Sequence, residues 1–489
     1  MNAAIISMLS DEVLLEIFDF FQRNHDGRHS GSRFAGLPEP VWDWHILAHV
    51  CQRWRQVIFA SPLRLNLRIL CKHRTPVQKN LDIWPTFPIH VEYVYPMTLE
   101  GIDEDNVMAA LKNPSRVGAV GLSLMGPQLG KMIAVMQESF PNLTHLYLDI
   151  TPLYASDVPV LPPEFLGRSA PCLQAIEFYG IPFPELTALL LSASDLVTLY
   201  LFNIPQTGYI SPEAMVAALA TLTRLEDLDI QFQYPASRPD RIYLPPTTRA
   251  VLPALTSFEF RGVHEYLDDF VARVCAPRLH KIWITYFNQS FDFEVPHLCQ
   301  FIENSEDLNR PMHCLVEFQY NLVTFSAGPT TQIPESGSFD DFPRHMYVDV
   351  LCEGVDWQVS HLAQVLNQIY AVLSNTIHFA IISHPIFDPI SPEPDMDDIE
   401  WPELLRPFSS VQTLFVSKEF SGHVSRSLED LDIAGVNATV LPALDMLCLE
   451  YQPMPSIQNF IASRSESGHP VTLVDTRKSF EERLLSYIN

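Results

Sequence analysis

A short apolar motif of the form L-x-x-L-x-L, tolerant of apolar type, recurs from about residue 117 and constrains the fold more than any other feature of the chain. It reads at Val117-Val120-Leu122, Leu143-Leu146-Leu148, Leu173-Ile176-Phe178, Leu196-Leu199-Leu201, Leu225-Leu228-Ile230, Leu255-Phe258-Phe260 and Leu279-Ile282-Ile284. Successive starts lie 26, 30, 23, 29, 30 and 24 residues apart. The alternation that ends each motif fits a short strand with one buried face. Weaker copies follow at Leu315-Phe318-Tyr320, Ile377-Ala380-Ile382, Val411-Leu414-Val416 and Leu444-Leu447-Leu449.

Helix-like stretches lie between the motifs. Residues 213–222, with Met215, Val216, Leu219 and Leu222 on one side, open with Ser211-Pro212, a helix-start signal. Residues 267–274 and 360–373 are two others. The spacing brackets the period of leucine-rich repeats. Strand, loop and helix recurring in this way are expected to stack as an α/β solenoid over residues 116–489, with parallel strands inside the arc and helices outside. An ordinary α/β domain of βαβ units satisfies the same spacing. Residues 326–343 and 384–402, rich in Pro, Ser, Gly or Asp, interrupt the pattern and read as loops.

The N-terminus is different in kind. Residues 9–21, LSDEVLLEIFDFF, place Val13, Leu14, Ile17, Phe18 and Phe21 at helical spacing. Ser10 suits the N-cap, Asp11 and Glu12 suit the positive end of the helix dipole, and Leu9 can staple to Leu14. Residues 44–59, WHILAHVCQRWRQVIF, read as a second helix with Trp44, Leu47, Ala48, Cys51, Trp54 and Ile58 in one stripe and Val50 and Val57 beside it. A helix with two apolar faces must bury both. A helical hairpin packed on the rest of the chain would do so, and so would a second protein.

Leu9-Ser10-Asp11-Glu12-Val13-Leu14-Leu15-Glu16-Ile17-Phe18, followed by Val50-Cys51-Gln52-Arg53-Trp54-Arg55, resembles an F-box. The segment behind it, with Arg74-Thr75-Pro76 and Asp82-Ile83-Trp84-Pro85, resembles the continuation of the F-box in a large group of proteins from mushroom-forming fungi. The resemblance implies an all-α F-box over residues 1–70, a connecting segment over 71–115, and a leucine-rich-repeat receptor domain behind them. It also implies docking on a Skp-type adaptor through Leu9, Ser10, Val13, Leu14, Ile17, Phe18, Leu47, Val50, Cys51, Trp54 and Arg55. The chain would then be the substrate-recognition subunit of an SCF-type cullin–RING ubiquitin ligase with an unknown protein target. Two departures leave a second reading open. Ser10 stands where the family has proline, and about twenty residues, 23–43, are inserted between the helices. On that reading the chain is a leucine-rich-repeat scaffold with a degenerate F-box outside any ligase, whereas on the ligase reading changing Leu14 and Ile17 to aspartate abolishes adaptor binding.

Charge and composition exclude several classes. Residues 1–75 carry nine Lys/Arg against seven Asp/Glu, whereas the remainder carries 22 against 51. So acidic a body repels nucleic-acid phosphates, and nucleic acid is not an expected partner. No apolar run approaches 18 residues and the N-terminus lacks a basic leader, so no membrane association is expected and the location is cytoplasmic or nuclear. Eight scattered cysteines without a C-x-x-C pair read as reduced thiols. No phosphate-binding, nucleophile-elbow or zincin motif occurs. His45 and His49 lack further ligands, so no catalytic residue, cofactor or metal is expected.

Overall fold

The computed structural model describes residues 9–23, 44–62, 64–65, 67–72, 77–83, 87–93, 103–150, 158–233, 249–287, 295–305, 307–329, 344–352, 354–383, 401–433, 440–450 and 455–475. The chain divides into two compact units, residues 1–210 and 211–489. Both are mixed α/β, built on mostly parallel strands. The inserted segment 24–43 and most of both expected loops, 330–343 and 384–400, lie outside the described residues.

The first unit opens with α1 (Asp11–Arg23), α2 (Trp44–Ala48) and α3 (Gln52–Ala60). Then come β1 (Ile69–Cys71), α4 (Val77–Ile83), β2 (Ile89–Tyr93), α5 (Glu104–Leu111), β3 (Val117–Leu124) and α6 (Gly126–Val135). The unit continues with β4 (His145–Ile150), a 3-10 turn at Phe165–Arg168, β5 (Ala175–Tyr179), α7 (Leu186–Leu190) and β6 (Thr198–Ile204). The six strands pair in chain order, all parallel.

The motif dictates the register. Its second positions lie side by side as Val120, Leu146, Ile176 and Leu199, and its third positions as Leu122, Leu148, Phe178 and Leu201, all buried. The first leucine precedes the strand in a tight turn: Leu143, Leu173 and Leu196 each donate an N–H to the carbonyl three residues back. The next residues reach the preceding repeat, as Gln174 N–H does to Thr144 O at 2.7 Å. A buried first leucine thus closes the turn, and its neighbour extends the ladder.

Strand pairing begins at Ile69, inside the stretch that the sequence marks as F-box and connection. The strands β1 and β2 escape the motif because their first positions are Arg68 and Pro88; the alternations Ile69, Cys71 and Ile89, Val91, Tyr93 are buried. Packing here depends on Asn106 of α5. Its side chain accepts from Val77 N–H at 2.6 Å and donates to Tyr93 Oη at 2.9 Å, which ties α4, α5 and β2 together.

The second unit contains α8 (Pro212–Leu219), β7 (Asp227–Phe232), β8 (Ala250–Val251), β9 (Ser257–Gly262), α9 (His264–Val271), β10 (Val274–Cys275), β11 (Lys281–Tyr286) and α10 (Pro296–Glu303). They are followed by β12 (His313–Gln319), β13 (Leu322–Gly328), β14 (Met346–Leu351), α11 (Val355–Gln368), α12 (Tyr370–Leu373), β15 (His378–Ser383) and α13 (Trp401–Leu405). The last elements are β16 (Thr413–Val416), α14 (Lys418–Ile433), β17 (Met446–Leu449), α15 (Pro455–Glu466) and β18 (Thr472–Asp475). The strand order is β7-β9-β11-β14-β13-β12-β15-β16-β17-β18, and β8 pairs with β10 apart from it. Ser211 caps α8 through a bond from Ala214 N–H at 3.3 Å.

Five expectations need correction here. The strands are not all parallel, because β13 runs antiparallel to both β12 and β14. Only Tyr320 and Asn321 join β12 to β13, a connection too short for a parallel crossover. The copies at Leu315-Phe318-Tyr320 and Ile377-Ala380-Ile382 are out of frame: the ladder pairs Cys314 with Phe379 and Val316 with Ile381, and Tyr320 is 76% exposed. The first-position slot of β15 holds Thr376, fully buried, whose hydroxyl meets Cys314 Sγ at 3.3 Å; a satisfied hydroxyl replaces the leucine. The loop expected over 326–343 begins too early, since Ser326–Gly328 belong to β13. The loop over 384–402 ends too late, because Trp401 opens α13 and is buried against Phe318 and Phe420. Lastly, the helix expected over 360–373 is two helices broken at Ile369.

Candidate functional site

The N-terminal helices hold the residues singled out by the sequence. Ser10 Oγ accepts from Val13 N–H at 3.3 Å, so the capping role follows from the position of the hydroxyl. The Glu12 carboxyl sits below its ordinary range because its own backbone N–H, and then the Ser10 hydroxyl, donate to it. Capped in this way, α1 presents two apolar faces. Leu14, Leu15 and Phe18 are buried, whereas Val13, Ile17 and Phe20 are 44%, 42% and 69% exposed. At 100° per residue the three exposed side chains share one stripe, turned away from the buried one.

The expected single helix over 44–59 is instead α2 and α3. Cys51 is extended (φ −159°, ψ 169°), and its Sγ accepts from Trp54 N–H at 3.4 Å, so it caps α3 and does not continue an apolar stripe. Leu47 and Ala48 are buried beneath the break, and Ile46 and Val50 are exposed above it. Trp54 is half-buried and meets Phe18 edge to face at 4.9 Å. Arg53 donates to the Leu9 carbonyl and to Asp11 Oδ1 at 2.8 Å, which fixes the start of α1 on α3. Arg55 is exposed, and its Nε donates to Ala48 O at 3.1 Å, satisfying the end of α2.

The eleven candidate residues therefore sort by environment. Leu14, Phe18 and Leu47 belong to the unit's own core, and Leu9 and Trp54 are half-buried. Val13, Ile17 and Val50 face outward, and Ser10, Cys51 and Arg55 are exposed groups that close helix ends. Sequence reasoning missed Phe20 and Ile46. The signal was available: Phe20 lies seven residues after Val13, and Ile46 lies four before Val50. Of the fourteen large apolar side chains exposed among the described residues, five lie in these helices or in the turn between α2 and α3, so the concentration is local. Patches of that kind favour a partner.

The strands carry a second set of groups. In the first unit the positions between the apolar ones form a grid, with Tyr147, Glu177 and Tyr200 in one row and Asp149, Tyr179 and Phe202 in the next. Burial pushes the Glu177 carboxyl up to about 7. In the second unit one row runs Asp229, Glu259, Trp283 and Tyr347. Burial, then the nearby Glu259 carboxylate, pushes Asp229 up to about 8. Asp349 is also raised by burial, against hydrogen bonds from Trp283 Nε1 (2.8 Å) and Thr285 Oγ1 (3.3 Å) that favour its charged form. Among the described residues no group of three or more His, Cys, Asp or Glu is placed to hold a metal, and no helix is long and apolar enough to cross a membrane.

No protein-family model matches the chain, and no curated protein is significantly similar to it.

Proposed function

We propose that the chain is the substrate-recognition subunit of an SCF-type cullin–RING ubiquitin ligase. Its N-terminal helices act as an F-box that docks a Skp-type adaptor. Its strand–helix repeats form a leucine-rich-repeat-type solenoid, with strands inside and helices outside, that holds a protein target. The chain performs no catalysis itself and needs no cofactor; it works in the cytoplasm or nucleus by bringing the target close to the transferring enzyme.

The observation that carries this reading is the division of α1. Leu14 and Phe18 supply the helix with a core of its own, so the outward stripe of Val13, Ile17 and Phe20 has no internal packing role. The recurring turn and in-register motif positions support the solenoid. One observation favours the second reading, a repeat scaffold with a degenerate F-box: Cys51 splits the second helix, so Val50 and Trp54 do not share one continuous stripe.

Affinity purification tests the proposal, comparing the full chain with one lacking residues 1–62. The truncation must stop before Ile69, where the sheet begins. Loss of the adaptor with retention of other partners is expected. Recovery of the same partners from both chains overturns the ligase reading.

A further inference from the structure

We propose that the strand face of the first unit around Glu177 receives a single basic side chain, lysine or arginine, from a protein partner. Glu177 is 5% exposed, and among the described residues its carboxyl has no hydrogen-bond or ion-pair partner. Register places Tyr147 on one side and Tyr200 on the other, a strand spacing of about 4.8 Å away. The aromatic wall is continuous: Tyr147 and Tyr179 rings lie 5.4 Å apart, Tyr179 stacks on Phe202 at 4.3 Å, and Phe202 meets Tyr200 at 5.7 Å. The wall thus runs past the carboxyl on both strand neighbours and along its own strand.

The chemistry selects the occupant. An apolar side chain entering here leaves the carboxylate buried and unpaired, which is costly. A metal ion finds only one ligand ready. An ammonium or guanidinium pairs with the carboxylate and rests on ring faces, and both interactions strengthen when water is excluded. Burial holds Glu177 up to about 7 in the free chain, and such a cation offsets that rise by favouring the charged carboxylate. The 51 acidic against 22 basic residues beyond residue 75 add long-range attraction for a basic partner. The inference rests on the reading that the strand face binds a protein, and it does not require adaptor docking.

The test is fluorescence anisotropy of the full chain with a labelled Gly-Ser peptide carrying three lysines, with matched arginine and norleucine peptides and free spermine. Lysine and arginine peptides are expected to bind and the norleucine peptide not to bind. Glu177→Gln weakens binding at least tenfold, whereas Glu138→Gln, an equal loss of charge at an exposed turn, changes it less than twofold. Tyr200→Leu, which keeps the bulk of the wall, weakens binding about threefold, and thermal melts establish that each variant is folded. The proposal is overturned if the lysine peptide fails to bind, if E177Q matches E138Q, or if spermine binds through Glu177 and the peptides do not. Peptide binding without adaptor binding removes the ligase role alone, and the reverse removes this site alone.

Discussion

Phe18 of α1 and Trp54 of α3 meet edge to face, ring centroids 4.9 Å apart and planes at 65°. Such contacts contribute beyond the area they bury. This one joins the two helices and fixes which side of α1 is core, so Val13 and Ile17 turn outward as a consequence. Phe18→Ala is expected to cost about 3–5 kcal/mol of local stability, the usual range for a buried aromatic. Amide exchange in α1 and α3 reads this out; unchanged protection there contradicts the packing described.

Ser10 occupies the N-cap, and its hydroxyl satisfies one of the free N–H groups of the first turn. Ser10→Ala is expected to destabilise α1 by about 1 kcal/mol. Exchange at Val13 N–H should quicken while the strands β3 to β6 remain as they were.

Glu177 gives stability a pH dependence whose sign is fixed. Its folded value, about 7, lies above the ordinary 4.5, so the folded state binds the proton more tightly than the unfolded state. The associated stability is present below pH 4.5 and is lost as pH rises through 7. Glu177→Gln should match the wild type near pH 4 and exceed it by roughly 2–4 kcal/mol at pH 8. Chemical denaturation at the two pH values measures this, and a constant difference would contradict it.

Trp283 donates to Asp349, a carboxylate 6% exposed. Trp283→Phe can keep the stack on Tyr347, which lies 5.0 Å away, but removes the donor. A cost of about 1–3 kcal/mol is expected, the penalty for leaving a buried acceptor short of a partner. Because the lost bond favoured the charged form, the cost should be larger at pH 8 than at pH 5. Thermal melts at both values provide the check.

Where the alternation is one-sided, the sequence reveals the fold. Leu146 and Leu148, with polar or aromatic neighbours between, announce β4 without ambiguity, and the same holds for β5, β6, β7, β9 and β11. The frame fails at β12, where His313, Cys314, Leu315 and Val316 are all buried and no period can be read. It fails at β15 because Thr376 hides in a slot that leucine fills elsewhere. Trp401 went unnoticed because the Pro- and Asp-rich stretch before it masks a five-residue helix. In the N-terminal helices the apolar stripes are legible, but which stripe is core depends on the Phe18–Trp54 contact, 36 residues apart in sequence. Glu177 was not singled out because it falls between motif positions, where the pattern is silent; only strand register sets it between Tyr147 and Tyr200.

The most direct measurement is the affinity of the purified full chain for a Skp-type adaptor, wild type against Val13→Asp with Ile17→Asp. Leu14 is fully buried, so aspartate there would damage the fold and confuse the result, whereas Val13 and Ile17 are exposed. Two charges on a docking stripe are expected to weaken adaptor binding at least a hundredfold while the melting temperature changes little. Equal adaptor binding by the wild type and the double variant, or no binding by the wild type, would contradict the F-box role.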